Sequence, residues 1–321
     1  MTTTPVQIAI LDDYQGVAMS LADWSGVQER ATITVFQDHL KDEAALAARL
    51  APFDAICVMR ERTPMTASLL ARLPRLKLIV STGPRNASID LAAAERQGIA
   101  IKHTGYFAQP TIEHTWALIL ASMRNIPGEA ASLRNGGWQR SLGEDLAGKT
   151  LGIVGLGNVG QGVAKVALAF GMKVMAWSQN LTADVASASG AVLVSKEELL
   201  AQADIVSLHL VLSKRTKGII GSSELALMKP SARLINTSRG PLVEEAALLD
   251  ALANKRIAGA AIDVYDEEPL PPDHPYRSAE RLLATPHIGY VTRALYERFY
   301  HDAAEHFNAW ITSSFSDPPR D

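Results

Sequence analysis

Short β-branched runs alternate with amphipathic stretches along most of the chain. In the amino-terminal third, VQIAIL, TITVF, DAICVM, LKLIV and IAIKH read as strands. Between them, DEAALAARL, TASLLARL and LAAAERQG set Ala and Leu at helical spacing. This alternation predicts βαβ units, which means parallel sheets with helices on both faces. It stops between Gln109 and Asn135, where helix-forming sequence continues without an intervening strand and ends in RNGGWQRSLGEDLAG. It resumes with TLGIVG, KVMAW, AVLVS, DIVSLHL, ARLINTS, GAAIDVY and RLLATPH. Ser195 with Glu198 forms a capping box that starts one helix of this second series. The last amphipathic stretch, YVTRALYERFYHDAAEHFNAWI, has no strand to follow it and is expected to return to the first unit. Two α/β units are therefore predicted: a discontinuous one, residues 1–104 with 291–321, and an inserted one, residues 105–290.

Composition narrows the picture. The 321 residues suffice for two domains with separate cores, and 47% apolar against 20% charged residues is the balance of a soluble folded protein. A net charge of -3 offers no attraction to nucleic acid or to an anionic membrane. Cys57, the single cysteine, forms no internal disulfide and has no neighbours at metal-ligand spacing, so no metal is expected and a reducing compartment is. The segment MTTTPVQIAILDDY lacks a basic stretch and is interrupted by Asp12 and Asp13, unlike a signal peptide. WALILASM is far shorter than the ~20 residues that cross a bilayer. A cytoplasmic protein is the expectation.

TLGIVGLGNVGQG carries Gly155, Gly157 and Gly160 as G-x-G-x-x-G between a predicted strand and a predicted helix. In that context the first glycine allows a tight turn, the second a close approach to a pyrophosphate, and the third close helix–strand packing. Asn158 and Val159 complete the helix start, whose N–H groups suit phosphate. An acid for the adenosine ribose belongs about 20 residues further on. Ser178 stands there, followed by Gln179 and Asn180. A neutral residue neither repels a 2′-phosphate nor attracts one, so NAD and NADP both remain open. NAD is slightly favoured because no arginine follows.

Three polar residues stand near predicted strand ends in this half: Arg239 in LINTSRGPL, Glu268 in IDVYDEEPLP and His287 in LLATPHIGY. Singly, each reads more readily as an ordinary residue: a surface arginine near a helix start, one acid of a solvated run, and a loop histidine bonded to backbone. Together with the glycine turn, LKLIVSTGPRNASIDL, LAGKTLGIVGLGNVG, ADIVSLHLVLS, LALMKPSARLINTSRGPLVEEAALLDAL, GAAIDVYDEEPLP and TPHIGY resemble, in order, the D-isomer-specific 2-hydroxyacid dehydrogenases, with phosphoglycerate dehydrogenase-like and hydroxypyruvate reductase-like members.

The resemblance implies a Rossmann-type cofactor domain and a flavodoxin-like substrate domain, both doubly wound, separated by a cleft. It implies an NAD(P)-dependent oxidoreductase that exchanges a hydride between nicotinamide and a small 2-hydroxy or 2-keto acid. His287 falls on the family's general acid/base, Glu268 on its acidic partner, and Arg239 on the arginine that binds the substrate and polarises its carbonyl. Asp263 takes the place of the aspartate near the nicotinamide amide, and His209, Thr237, Ser238 and Gly289 fall in segments that line the cofactor. The loop holding Gly83, Arg85 and Asn86 matches the one that receives the substrate carboxylate, and Arg60 is a candidate for the substrate's side group. The reading TGPRN places Pro84 and Arg85 where many members have small residues. Related formate dehydrogenases have glutamine where Glu268 stands, which points away from formate. A homodimer is implied, with the LRNGGWQRSLGEDL segment reaching the partner. The alternative from another class is a dinucleotide-sensing binding protein on the same fold, similar to the C-terminal binding protein corepressors.

Overall fold

Val6–Ile10 (β1), Ala31–Val35 (β2), Ala55–Val58 (β3), Leu78–Ser81 (β4) and Ala100–His103 (β5) pair in a computed structural model that describes residues 5–314. The first four residues of the amino-terminal segment read above lie outside the described residues. These strands form one parallel sheet in the order β2-β1-β3-β4-β5, the flavodoxin-like winding. Strands β3 and β4 are buried along their whole length, which is why their sequences are continuous apolar runs and not alternating ones. The helices Glu43–Leu50, Ala67–Ala71 and Leu91–Arg96 start where the side chains of Asp42, Thr66 and Asp90 accept backbone N–H groups of the first turn.

The helix Arg293–Ser314 belongs to this first unit. It buries Leu295, Tyr296, Phe299, Tyr300, Ala303, Phe307 and Ile311 at helical spacing. The Phe307 ring lies 6.4 Å from that of Trp24, and the Tyr300 hydroxyl donates to Asp13 at 3.3 Å. The chain passes from the first unit to the second after Phe107 and returns after Val291. These crossings lie beyond the expected ones at 104/105 and 290/291, for a local reason. The Gly83 N–H donates to Thr104 Oγ1 at 2.8 Å and the Gly105 N–H to Asp302 at 2.7 Å, tying both residues to the first unit. The Val291 N–H donates to the Ile288 carbonyl at 2.9 Å, tying it to the second.

In the second unit, Gln109–Met123 and Ile126–Arg134 are two helices parted at Asn125, whose φ of 49° breaks the regular backbone just before Pro127. The strands are Thr150–Val154 (β6), Lys173–Trp177 (β7), Val192–Leu193 (β8), Ile205–Leu208 (β9), Arg233–Asn236 (β10), Gly259–Ile262 (β11) and Leu282–Ala284 (β12). All are parallel, in the order β12-β11-β10-β9-β6-β7-β8. The winding reverses between β6 and β9, and such a switch point is where open α/β sheets bind ligands. Among the described residues, no helix is long and apolar enough to cross a membrane.

Candidate active site

Strand register brings the candidates of the second unit to one edge of its sheet. Val154 is level with both Trp177 and Leu208, so the glycine turn, Ser178 and His209 leave the sheet side by side. Asn236, Ile262 and Ala284 are level in the same way, which aligns Thr237, Asp263 and Thr285.

The turn after β6 needs its glycines for different reasons. Gly155 has φ of 104°, and a Cβ there would stand 2.7 Å from the His209 carbonyl carbon. A Cβ on Gly160 would stand 2.2 Å from the Gly155 oxygen. These two glycines are required by the packing of the unit itself. A Cβ on Gly157 would meet nothing within 4 Å. The space in front of Gly157 is open, and it faces the start of the helix Asn158–Ala169, which has no side-chain cap. A phosphate that must approach the backbone there explains a glycine that the protein's own packing does not, so the turn fits a dinucleotide. Beside it, His209 Nε2 lies 2.9 Å from Ser207 Oγ, and burial pulls the imidazole down to about 4. Ser178 is half-buried, its carbonyl accepting the Leu181 N–H at 3.1 Å.

At the other end of this edge, His287 Nδ1 lies 2.5 Å from Glu268 Oε2. An ionised carboxylate only accepts, so Nδ1 carries the hydrogen of this bond and Nε2 is left for other partners. Both side chains are about a quarter exposed or less, at 21% and 25%. His287 has φ of 51°, a left-handed conformation unfavourable for a residue with a side chain, and its neighbours hold it there. The His287 N–H donates to the Thr285 carbonyl at 2.9 Å, and the N–H groups of Ile288 and Gly289 donate to the Asp263 carboxylate at 2.9 and 2.7 Å.

Asp263 is 1% exposed and also accepts from Thr285 Oγ1 at 2.6 Å, with His114 Nε2 3.2 Å away. Burial opposes its charge, but hydrogen bonds from His114 and Thr285, helped by both nearby imidazoles, outweigh it and hold the carboxyl below its usual range. Both of its oxygens are thus engaged within the unit, on the turn that carries His287.

Arg239 follows β10 in a turn built by Asn236. The buried Asn236 amide donates to the Arg239 carbonyl at 2.9 Å and accepts the Ser238 N–H at 3.1 Å. Ser238 Oγ donates to the Leu210 carbonyl at 2.6 Å, and Arg239 Nη1 donates to the Ser238 carbonyl at 2.6 Å. Thr237 Oγ1 lies 2.8 Å from Thr115 Oγ1. Asn236, Tyr265, Thr285 and His114 escaped the sequence reading. Asn236 and Thr285 carry one usable signal, a polar residue closing an apolar strand run.

In the first unit, Arg60 and Gly83 are adjacent: a Cβ on Gly83 would be 3.3 Å from Arg60 Cδ. The Arg60 N–H donates to Thr82 Oγ1 at 2.9 Å. Asn86 is buried, its amide bonded to Ser81 and Ser88 within the loop, while Arg85 is exposed. Among the described residues of either unit, no cluster of His, Cys, Asp and Glu could hold a metal ion.

A glycine turn with room for a phosphate at a switch point, and an imidazole–carboxylate pair on the same sheet edge, fit a dinucleotide-dependent oxidoreductase. Residues 116–289 match the model of the D-isomer specific 2-hydroxyacid dehydrogenase, NAD binding domain. The chain is 40% identical over 252 residues to a glyoxylate reductase of Aeropyrum pernix, covering 75% of each chain. It is also 40% identical to a D-3-phosphoglycerate dehydrogenase of Bacillus subtilis, over 79% of this chain but only 48% of that one, so it spans about half that relative's length. A solved phosphoglycerate oxidoreductase from Vibrio cholerae superposes with a TM-score of 0.91 at 39% identity, covering 96% of this chain and 100% of the other. The chain belongs to the D-isomer-specific 2-hydroxyacid dehydrogenase family, and its second unit is the family's NAD-binding domain.

Proposed function

We propose that this protein reduces a small 2-keto acid to the D-2-hydroxy acid, and catalyses the reverse reaction, with His287 as the general acid/base. The observation that carries the reading is the His287–Glu268 pair, 2.5 Å apart on the sheet edge that also bears the glycine turn. A bound nicotinamide supplies the hydride, which no side chain can. His287 Nε2 gives the proton to the carbonyl oxygen, while Glu268 fixes the ring through Nδ1 and steadies the imidazolium. Arg239 binds the substrate and stabilises charge growing on the same oxygen.

Gly155, Gly157, Asn158, Val159 and Gly160 hold the pyrophosphate in this reading, and Ser178 meets the adenosine ribose. His209, Thr237, Ser238 and Gly289 line the rest of the dinucleotide. Asp263 acts by holding the His287 turn, a role its hydrogen bonds support. NAD is the preferred cofactor, because the residues after Ser178 are Gln179 and Asn180 and not cations. In the first unit, the loop with Gly83, Arg85 and Asn86 receives the substrate carboxylate and Arg60 its side group. The Gly83 N–H already donates to Thr104, and Asn86 serves to shape the loop. That leaves the exposed Arg85 as the loop's outward cation.

The protein works in this reading as a cytoplasmic homodimer. Exposed Ile126, Leu133, Trp138 and Leu142, at 52%, 60%, 72% and 98%, form an apolar stretch that a partner subunit would cover. The test is oxidation of NADH and NADPH, followed spectrophotometrically, with glyoxylate, hydroxypyruvate, pyruvate and longer 2-keto acids. Turnover with at least one is expected. Dinucleotide binding without turnover of any would favour the sensor instead.

A further inference from the structure

Tyr265 follows β11 and is 8% exposed, its ring packed 6.2 Å from that of Tyr276. It touches each of the three turns that bear the candidate groups. Its backbone N–H donates to Glu268 Oε1 at 3.0 Å, leaving Oε2 for His287. Its hydroxyl donates to the Thr285 carbonyl at 2.8 Å, the same oxygen that accepts the His287 N–H. The turn after Arg239 rests on its peptide: a Cβ on Gly240 would stand 2.1 Å from the Tyr265 carbonyl carbon and 2.3 Å from its oxygen.

From this geometry we infer that Tyr265 is a positioning residue for the reaction, holding the His287 turn, Glu268 and the Arg239 turn in one register. The inference rests on His287 being the acid–base group. Burial, aided by the Asp263 and Glu268 carboxylates, keeps the phenol protonated well beyond its ordinary range, so it donates at every working pH. The Thr285 carbonyl, with two lone pairs, accommodates both donors. Asp263 holds the N–H groups that follow His287, and Tyr265 holds the Thr285 carbonyl that precedes it. With φ of 51° at His287, that turn relaxes when either grip is removed.

Tyr265→Phe keeps the ring and both backbone contacts and removes only the hydroxyl. In the full chain it should lower kcat by about 3- to 10-fold, the scale of one hydrogen bond, and change the dinucleotide KM by less than about twofold. Exchange of the His287 amide should quicken by a similar factor. Combined with Glu268→Gln, the same substitution should cost less than about twofold, because the pair it steadies is already broken. Unchanged kcat, equal losses in both backgrounds, or unchanged amide exchange would each overturn the inference. A wild-type chain that reduces no 2-keto acid would count against the proposed function, and the amide exchange would still decide whether Tyr265 holds the turn.

Discussion

In the proposed reaction His287 works through one nitrogen. With Nδ1 committed to Glu268 at 2.5 Å, only Nε2 can exchange a proton with substrate. His287→Asn should therefore lower kcat by ~10²–10⁴-fold, the usual share of a general acid–base group. Dinucleotide affinity, measured by fluorescence titration, should stay within about twofold, because the glycine turn proposed to hold the pyrophosphate lies on other strands. Ser178 sits one residue past the Val154–Trp177 pair, beside the glycine turn. Ser178→Asp should shift the ratio of KM values toward NADH, since a carboxylate accepts from ribose hydroxyls and repels a 2′-phosphate. An unchanged ratio would show that this residue does not meet the ribose.

At the scale of elements, the strand β6, its turn and the helix Asn158–Ala169 separate two kinds of glycine. Gly160→Ala forces a methyl to 2.2 Å from the Gly155 oxygen, and thermal unfolding should register a loss of ~1–3 kcal/mol from overpacking. Gly157→Ala meets open space, so Tm should hold. Dinucleotide binding should nonetheless weaken about tenfold or more, because the methyl stands where the pyrophosphate approaches. Equal affinity for Gly157→Ala and wild type would remove the turn from the binding site. The G-x-G-x-x-G spacing and the expected division into two packing glycines and one left for a ligand were readable from the chain alone, but the atoms that impose it here were not. That division depends on what faces each Cα, such as the His209 carbonyl across the switch point.

For the molecule as a whole, His209 ties stability to pH. Its imidazole is lowered from 6.5 to about 4 by burial, so the folded chain prefers it neutral. The unfolded chain takes up the proton first as the solution is acidified. The stabilisation is therefore complete above pH 6.5 and lost as the pH falls toward 4. Wild-type Tm should drop across that window more steeply than that of His209→Gln, and parallel curves would refute the link. The proposed dimer is tested by mass: Trp138→Glu with Leu142→Glu should halve the species seen in light scattering, whereas a monomeric wild type removes the dimer.

Periodicity and glycine spacing were enough to determine the two parallel α/β sheets, the strands with their approximate ends and the glycine turn after β6. These features are written in neighbouring residues, where apolar period and turn chemistry act over a few positions. Arg239, Glu268 and His287 stood out only because long motifs resembled a family; singly they looked ordinary. What the tertiary structure alone decided is which residues share an edge. Thr285 meets His114 across 171 positions of chain, and β6 lies beside β9 although two strands intervene in sequence. Such neighbours follow from winding order and strand register, which the burial of whole sheets selects and no local pattern encodes.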